Sequence, residues 1–264
     1  MTTAVFEPAS AGGGVRRPGL LPSARWLLNR QLEIVRWFLG LVVLVFGLAY
    51  PLIGRSGGDL PFSIWESFAA NGPGWFILAM GATAVTAYLP MLVASGATRS
   101  RFTLAAALAI TACALVLAVF VAAGFVYEAY MFESRGWSHD LNGAHVFAST
   151  SQAHLVVAEY AVRYLLFGLT GLLAGFAFYR AGGWWGTGLL LFTVVLPLGV
   201  GNALLNVRIG EPQTWADLGV GTATGLGVGS ASAVGLGLAL AFAVVLVVVA
   251  RALMSTAPIR AKAA

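Results

Sequence analysis

The feature that most constrains this chain is the way its charges are sorted. Long apolar runs alternate with short polar gaps; Arg and Lys gather in alternate gaps, and Asp and Glu gather in the others. A soluble domain carries about 25% charged residues. This chain of 264 residues carries 9%, against 59% apolar. A soluble fold of that size cannot hide so much apolar surface, so lipid must be the solvent for most of it. The basic residues lie in short loops and tails, where they set orientation in a membrane. The net charge of +5 is therefore not a nucleic-acid signature.

A membrane crossing takes about 20 residues. The apolar runs predict six crossings, at about 37–53, 75–94, 104–125, 161–179, 184–205 and 234–250. Arg16, Arg17, Arg25, Arg30 and Arg36 precede the first. Arg99 and Arg101 separate the second from the third, Arg180 follows the fourth, and Arg251, Arg260 and Lys262 close the chain. The other gaps hold Asp59, Glu66, Glu128, Glu133, Asp140, Glu159, Glu211 and Asp217, with Arg55, Arg135, Arg163 and Arg208 as the only cations. The positive-inside rule then gives an all-α protein of the plasma (inner) membrane with both termini cytoplasmic. Residues 1–21 are expected to form a flexible cytoplasmic tail, 22–254 the transmembrane domain, and 255–264 a second tail. The first apolar run begins only at Trp37, so a retained anchor is expected rather than a cleaved signal peptide.

Several segments add detail. Arg25, Asn29, Glu33 and Arg36 recur at helical spacing, beside a stripe of Leu28, Leu32, Val35 and Leu39. The stretch 22–36, with Trp26 and Arg30, reads as an amphipathic helix on the cytoplasmic interface that turns into the first crossing. Glu128 to Ala158 reads as a long external connection. Glu159 and Arg163 stand in the order that favours a helical ion pair, with Arg163 snorkelling outward. The glycine-dense stretch 219–237 reads as close packing of small residues, with a dipping segment as the alternative. Pro90 and Pro197 are expected to kink their crossings. The eight tryptophans, Trp65 among them, read as an interfacial belt. Cys113, the single cysteine, reads as a small buried thiol.

Much chemistry is missing. The only lysine is Lys262, so no P-loop exists and the chain cannot hydrolyse ATP by that route. The predicted crossings hold no acidic residue beyond the Glu159–Arg163 edge, which disfavours coupling to an ion gradient. His139, His145 and His154 lie six and nine residues apart, a spacing that fits no metal site, and they read as loop histidines without a ligand. Ser138, Ser149 and Ser151 lie in no nucleophile-elbow pattern. No catalytic residue and no cofactor of the chain's own are expected.

The most specific segment runs from Leu89 to Phe102. A crossing ends in small residues, Gly96 permits a tight turn, Thr98 can cap a new helix, and Arg99, Arg101 and Phe102 follow. One reading is a pair of basic residues that only set orientation. The other is a short cytoplasmic helix offered to a partner, with Phe102 as apolar anchor and the arginines supplying complementary charge. Here Gly96-Ala97-Thr98-Arg99-Ser100-Arg101-Phe102 resembles the transmembrane subunits of type-two ABC exporters, and the six-crossing layout and lead-in helix look similar over residues 22–254. The resemblance implies a coupling helix around 95–103 docked on a separate cytoplasmic ATPase subunit, which would hold ATP and Mg. It also implies a second permease copy or homologue, with a path for an apolar or amphipathic substrate between the two. One departure is the position of the long external element, which here follows the third crossing. Alternatives are a non-transporting sensor or assembly partner and a membrane-embedded enzyme. The enzyme reading would need a convergent polar cluster at one membrane face, and none is visible in the sequence.

Overall fold

The computed structural model describes residues 19–55, 63–137, 141, 145–147, 149–206 and 233–255. Most of both predicted tails, His139, Trp215 and the glycine-dense stretch up to 232 lie outside the described residues.

The helices run up and down between two ends of a bundle. α1 spans Leu20–Arg55 and α2 Ile64–Thr83. A π-helical turn, Ala84–Tyr88, joins α2 to α3, Leu89–Ala94, as one rod. α4 is Arg99–Arg135 and α5 Ala153–Gly188, broken at Gly182, where φ is 81°. A second π-helical turn, Leu191–Val195, leads into α6, Leu196–Leu205, and α7 is Ala233–Ser255. At each proline expected to kink a crossing, the helix passes through a π turn. Proline lacks an N–H and its ring clashes with the carbonyl four residues back; an extra residue in the turn relieves both. In each case that residue four back is a threonine, Thr86 or Thr193, whose hydroxyl donates to Ala82 O at 3.1 Å or Leu189 O at 3.0 Å.

α5 forms the centre, packed by α2, α4, α6 and α7 and buried over most of its length. Glycines let it approach α2 backbone to backbone. A methyl on Gly171 would lie 2.0 Å from Leu78 O, and one on Gly81 would lie 2.3 Å from Gly168 O. The small-residue contact therefore falls on α5. Of the glycine-dense stretch, the described Gly235 also packs closely, against the carbonyls of Leu204 and Leu205.

α1 corrects the lead-in expectation. It is a single helix of 36 residues, about 54 Å at 1.5 Å per residue, with no turn between 36 and 37. Nothing from Arg25 to Leu39 breaks a helix. The polar face does form: Arg25, Arg30, Glu33 and Arg36 are exposed, and Arg30 lies 3.8 Å from Glu33. The other face, Leu27, Gln31 and Val35, is buried in the bundle, where α1 packs on α4, and Trp26 packs edge-on to Tyr88. Cys113 is buried as expected, 3.7 Å from Gln31 Oε1.

The long connection is also shorter than expected. Glu128–Arg135 forms the last two turns of α4, ended by Gly136 at φ 66° with Trp137 N–H donating to Phe132 O. Ala153–Ala158 begins α5.

Candidate functional site

Among the described residues, two places gather polar side chains against this apolar background. The first is the end of the bundle where α1 and α4 finish and α2 and α5 begin. Glu66, Glu128 and Glu159 are each 0% exposed there. Glu128 accepts from Tyr50 Oη at 2.5 Å, Ser63 Oγ at 2.5 Å and the Trp65 amide at 3.1 Å, which ties α4 to α1 and to the start of α2. Ser63 also caps α2 through the Glu66 amide at 2.9 Å. His145 lies between two carboxylates, with Nδ1 2.9 Å from Glu159 Oε1 and Nε2 3.2 Å from Glu66 Oε1. The Val146 amide donates to Glu159 Oε2 at 3.0 Å. The imidazole stacks on Phe147, which is itself buried against Phe125.

With a carboxylate on each ring nitrogen, His145 is a double donor. Burial opposes its charge, but the hydrogen bonds to Glu159 and Glu66 and the field of both carboxylates outweigh it, so its pKa is pushed up to about 9. The imidazolium is a clasp across α2 and α5. Among the described residues, no group of three His, Cys, Asp or Glu side chains could hold a metal ion.

This cluster corrects four expectations. His145 has partners, whereas His154 is exposed. A convergent polar cluster does exist at one end. Glu159 pairs with His145, and Arg163 makes no ion pair among the described residues. Arg163 does not snorkel; it is 4% exposed and faces α6. The sequence places Glu66 and Glu128 among the charges of the external gaps and pairs Glu159 with Arg163. The available signal was the lack of any helix breaker between Phe125 and Gly136, which carries Glu128 on inside α4. Trp65 leaves the belt too: it is 3% exposed, ringed by Phe46, Phe68 and Phe120, and donates to Val121 O at 2.9 Å. Trp37, Trp184 and Trp185 remain outward-facing.

The second place is the opposite end, at the α3–α4 turn. Gly96 adopts φ 91°, and the Ala97 amide donates to Leu92 O at 3.0 Å. Thr98 caps α4, accepting from the Arg101 amide at 3.3 Å, as its position predicts. Arg101 is exposed and Arg99 half-buried, both in the first turn of α4. No separate helix occupies 95–103: the turn is four residues long and the next residue already belongs to α4. Phe102 is 0% exposed within the core, so it packs α4 into the bundle and presents no anchor outward. The structure therefore brings Gly96, Thr98, Arg99 and Arg101 together and turns Phe102 away from them.

Among the described residues, five helical rods are long and apolar enough to cross a membrane: α1, the α2–α3 rod, α4, α5 and α7; Leu191–Leu205 is a shorter apolar helix. Trp37, Leu41, Leu44, Leu48 and Leu52 form an exposed apolar stripe on α1 that only lipid or another apolar surface can cover. The described fold is that of an all-helical, multi-pass membrane protein. No protein-family model, curated protein or solved structure matches the chain.

Proposed function

We propose that the chain is the permease subunit of an exporter driven by a separate cytoplasmic ATPase, which carries the ATP and Mg. In this reading the α3–α4 turn and both termini face the cytoplasm of a plasma-membrane protein. The fifth crossing is completed by Leu191–Leu205 together with the short helix after Gly182. A second permease copy or homologue faces the first across the path of an apolar or amphipathic substrate.

The observation that supports this most is the placement of Arg99 and Arg101. Cations at a helix N-terminus oppose the helix dipole by about 0.3–1 kcal/mol each, and the first turn of α4 contains no acidic residue. Acidic groups on a partner would add complementary charge at this exposed turn. α4 packs on α1, α2, α3, α5 and α7, so a push at its first turn reaches nearly the whole bundle. Stiffness at the far end, from the His145 clasp and the Glu128 network, makes that push a tilt of packed rods rather than local fraying.

The test is purification from native membrane, with detection of a bound ATPase subunit, followed by R99A/R101A. Loss of ATPase association or stimulation, with the protein still inserted, is expected. Unchanged coupling, or no ATPase at all, refutes the proposal. In that event the clasp favours the second reading, a sensor or assembly partner built around the histidine-bearing connection.

A further inference from the structure

α1 and α7 carry their apolar stretches at different heights in the bundle. α1 and α4 run parallel, and Gln31 meets Cys113 while Tyr50 meets Glu128, so a residue of α1 stands level with the residue of α4 82 positions on near Gln31 and 78 positions on near Tyr50. On another side of α4, Thr111 lies beside Ala243, Val244 and Val247 of α7. The part of α1 level with the middle of α7 is therefore the stretch around Asn29, not the apolar stripe from Trp37 to Leu52. α7 holds no charge before Arg251 and exposes Val244, Val245 and Val248, as a helix facing hydrocarbon does. Arg25, Asn29 and Arg36 recur along one face of α1 over about 17 Å and are exposed. This polar face thus stands at the depth where α7 meets lipid. Charge turned to hydrocarbon is costly, and ionisable side chains at that depth line polar paths.

Beside the face lies an open groove of about 790 Å³ between α1 and α4. Leu21, Leu28 and Leu108 give it an apolar wall, and Arg25, Trp26 and Asn29 complete its lining. Small-molecule sites measure about 300–1,000 Å³. Arg30 and Glu33 neutralise each other at 3.8 Å. Among the described residues no carboxylate pairs with Arg25 or Arg36. The buried carboxylates do not balance them: from Leu108 to Glu128 is about 30 Å along α4. Two positive charges therefore stand uncompensated over an apolar wall.

We infer that the α1–α4 groove binds an amphiphile with a negatively charged headgroup. Arg25, Asn29 and Arg36 hold the head at membrane depth, and Leu21, Leu28 and Leu108 take the apolar part. The transport reading is needed only to call this amphiphile the cargo, which it narrows to an anionic class; binding itself requires no ATPase.

Two measurements on the full chain test the inference. In native membrane vesicles, with C113A as background, a water-soluble maleimide should label N29C and leave V244C, at the same height, unlabelled. Any other pattern overturns the placement at membrane depth. In a maltoside detergent, 9,10-dibromostearate quenches tryptophan on contact, and its methyl ester is the uncharged control. The acid should give saturable quenching, reduced in W26F, with half-saturation shifted at least fivefold in R25Q/R36Q. Equal quenching by the ester, or unchanged half-saturation in the double variant, overturns the site. Should R25Q/R36Q fail to fold, N29L, which keeps both charges, carries the same comparison. Saturable quenching by a chain that brings down no ATPase removes the transport reading and leaves the site; a bound ATPase without quenching does the reverse.

Discussion

His145 makes the stability of this protein depend on pH in a window where little else titrates. In the unfolded chain its imidazole titrates near 6.5; in the folded protein Glu159 and Glu66 hold the proton until about pH 9. The contribution is therefore fully present below 6.5 and disappears as pH rises through 9. A difference of that size corresponds to about 3 kcal/mol. The chain has three histidines, one cysteine and one lysine, so few other groups blur the profile. Denaturant unfolding in detergent micelles at pH 6, 7.5 and 9.5 should show parent stability falling by about 3 kcal/mol across that range. H145Q, which keeps one donor but cannot ionise, should give a flat line that meets the parent at high pH. His154 is exposed, so H154Q should leave the slope intact. A parent profile flat between pH 6.5 and 9, or one with the same slope in H145Q, would refute the clasp.

Three further outcomes follow from the packing. Gly171→Ala forces a methyl against the Leu78 carbonyl, where neither backbone can yield, and should cost about 1–3 kcal/mol in the same unfolding assay; Gly40→Ala, with nothing within 4 Å, should be neutral or better. Tyr50→Phe removes one hydrogen bond to the buried Glu128 carboxylate and should cost about 1.5–3 kcal/mol, since that bond ties α1 to α4. Phe102→Ala should lower stability by about 3–5 kcal/mol and reduce the amount of folded protein recovered, whereas R99A/R101A should leave the unfolding midpoint nearly unchanged. A Phe102 variant with parent stability but lost ATPase contact would restore that side chain as a docking anchor.

The split between what the sequence reveals and what it hides has a physical basis. Apolar runs of membrane length and the sorting of charge around them are properties of local composition, because lipid acts on each segment separately. They sufficed for the helical class, for the positions of the long rods, for the turn at Gly96 and for the Thr98 cap. Direction and depth are different matters. Whether Phe102 faces a partner or the core, and whether α1 bends at 36 or runs straight, depends on which neighbour each helix meets. The carboxylates mark the limit most clearly. Glu66, Glu128 and Glu159 lie 31 residues or more apart in the chain. As single letters they are loop charges. Only the meeting of α1, α2, α4 and α5 at one end, with His145 folded back over it, turns them into a buried network, and only the α5–α6 contact leaves Arg163 facing Asn202. Burial of a charge is a property of several segments at once, and no one of them encodes it alone.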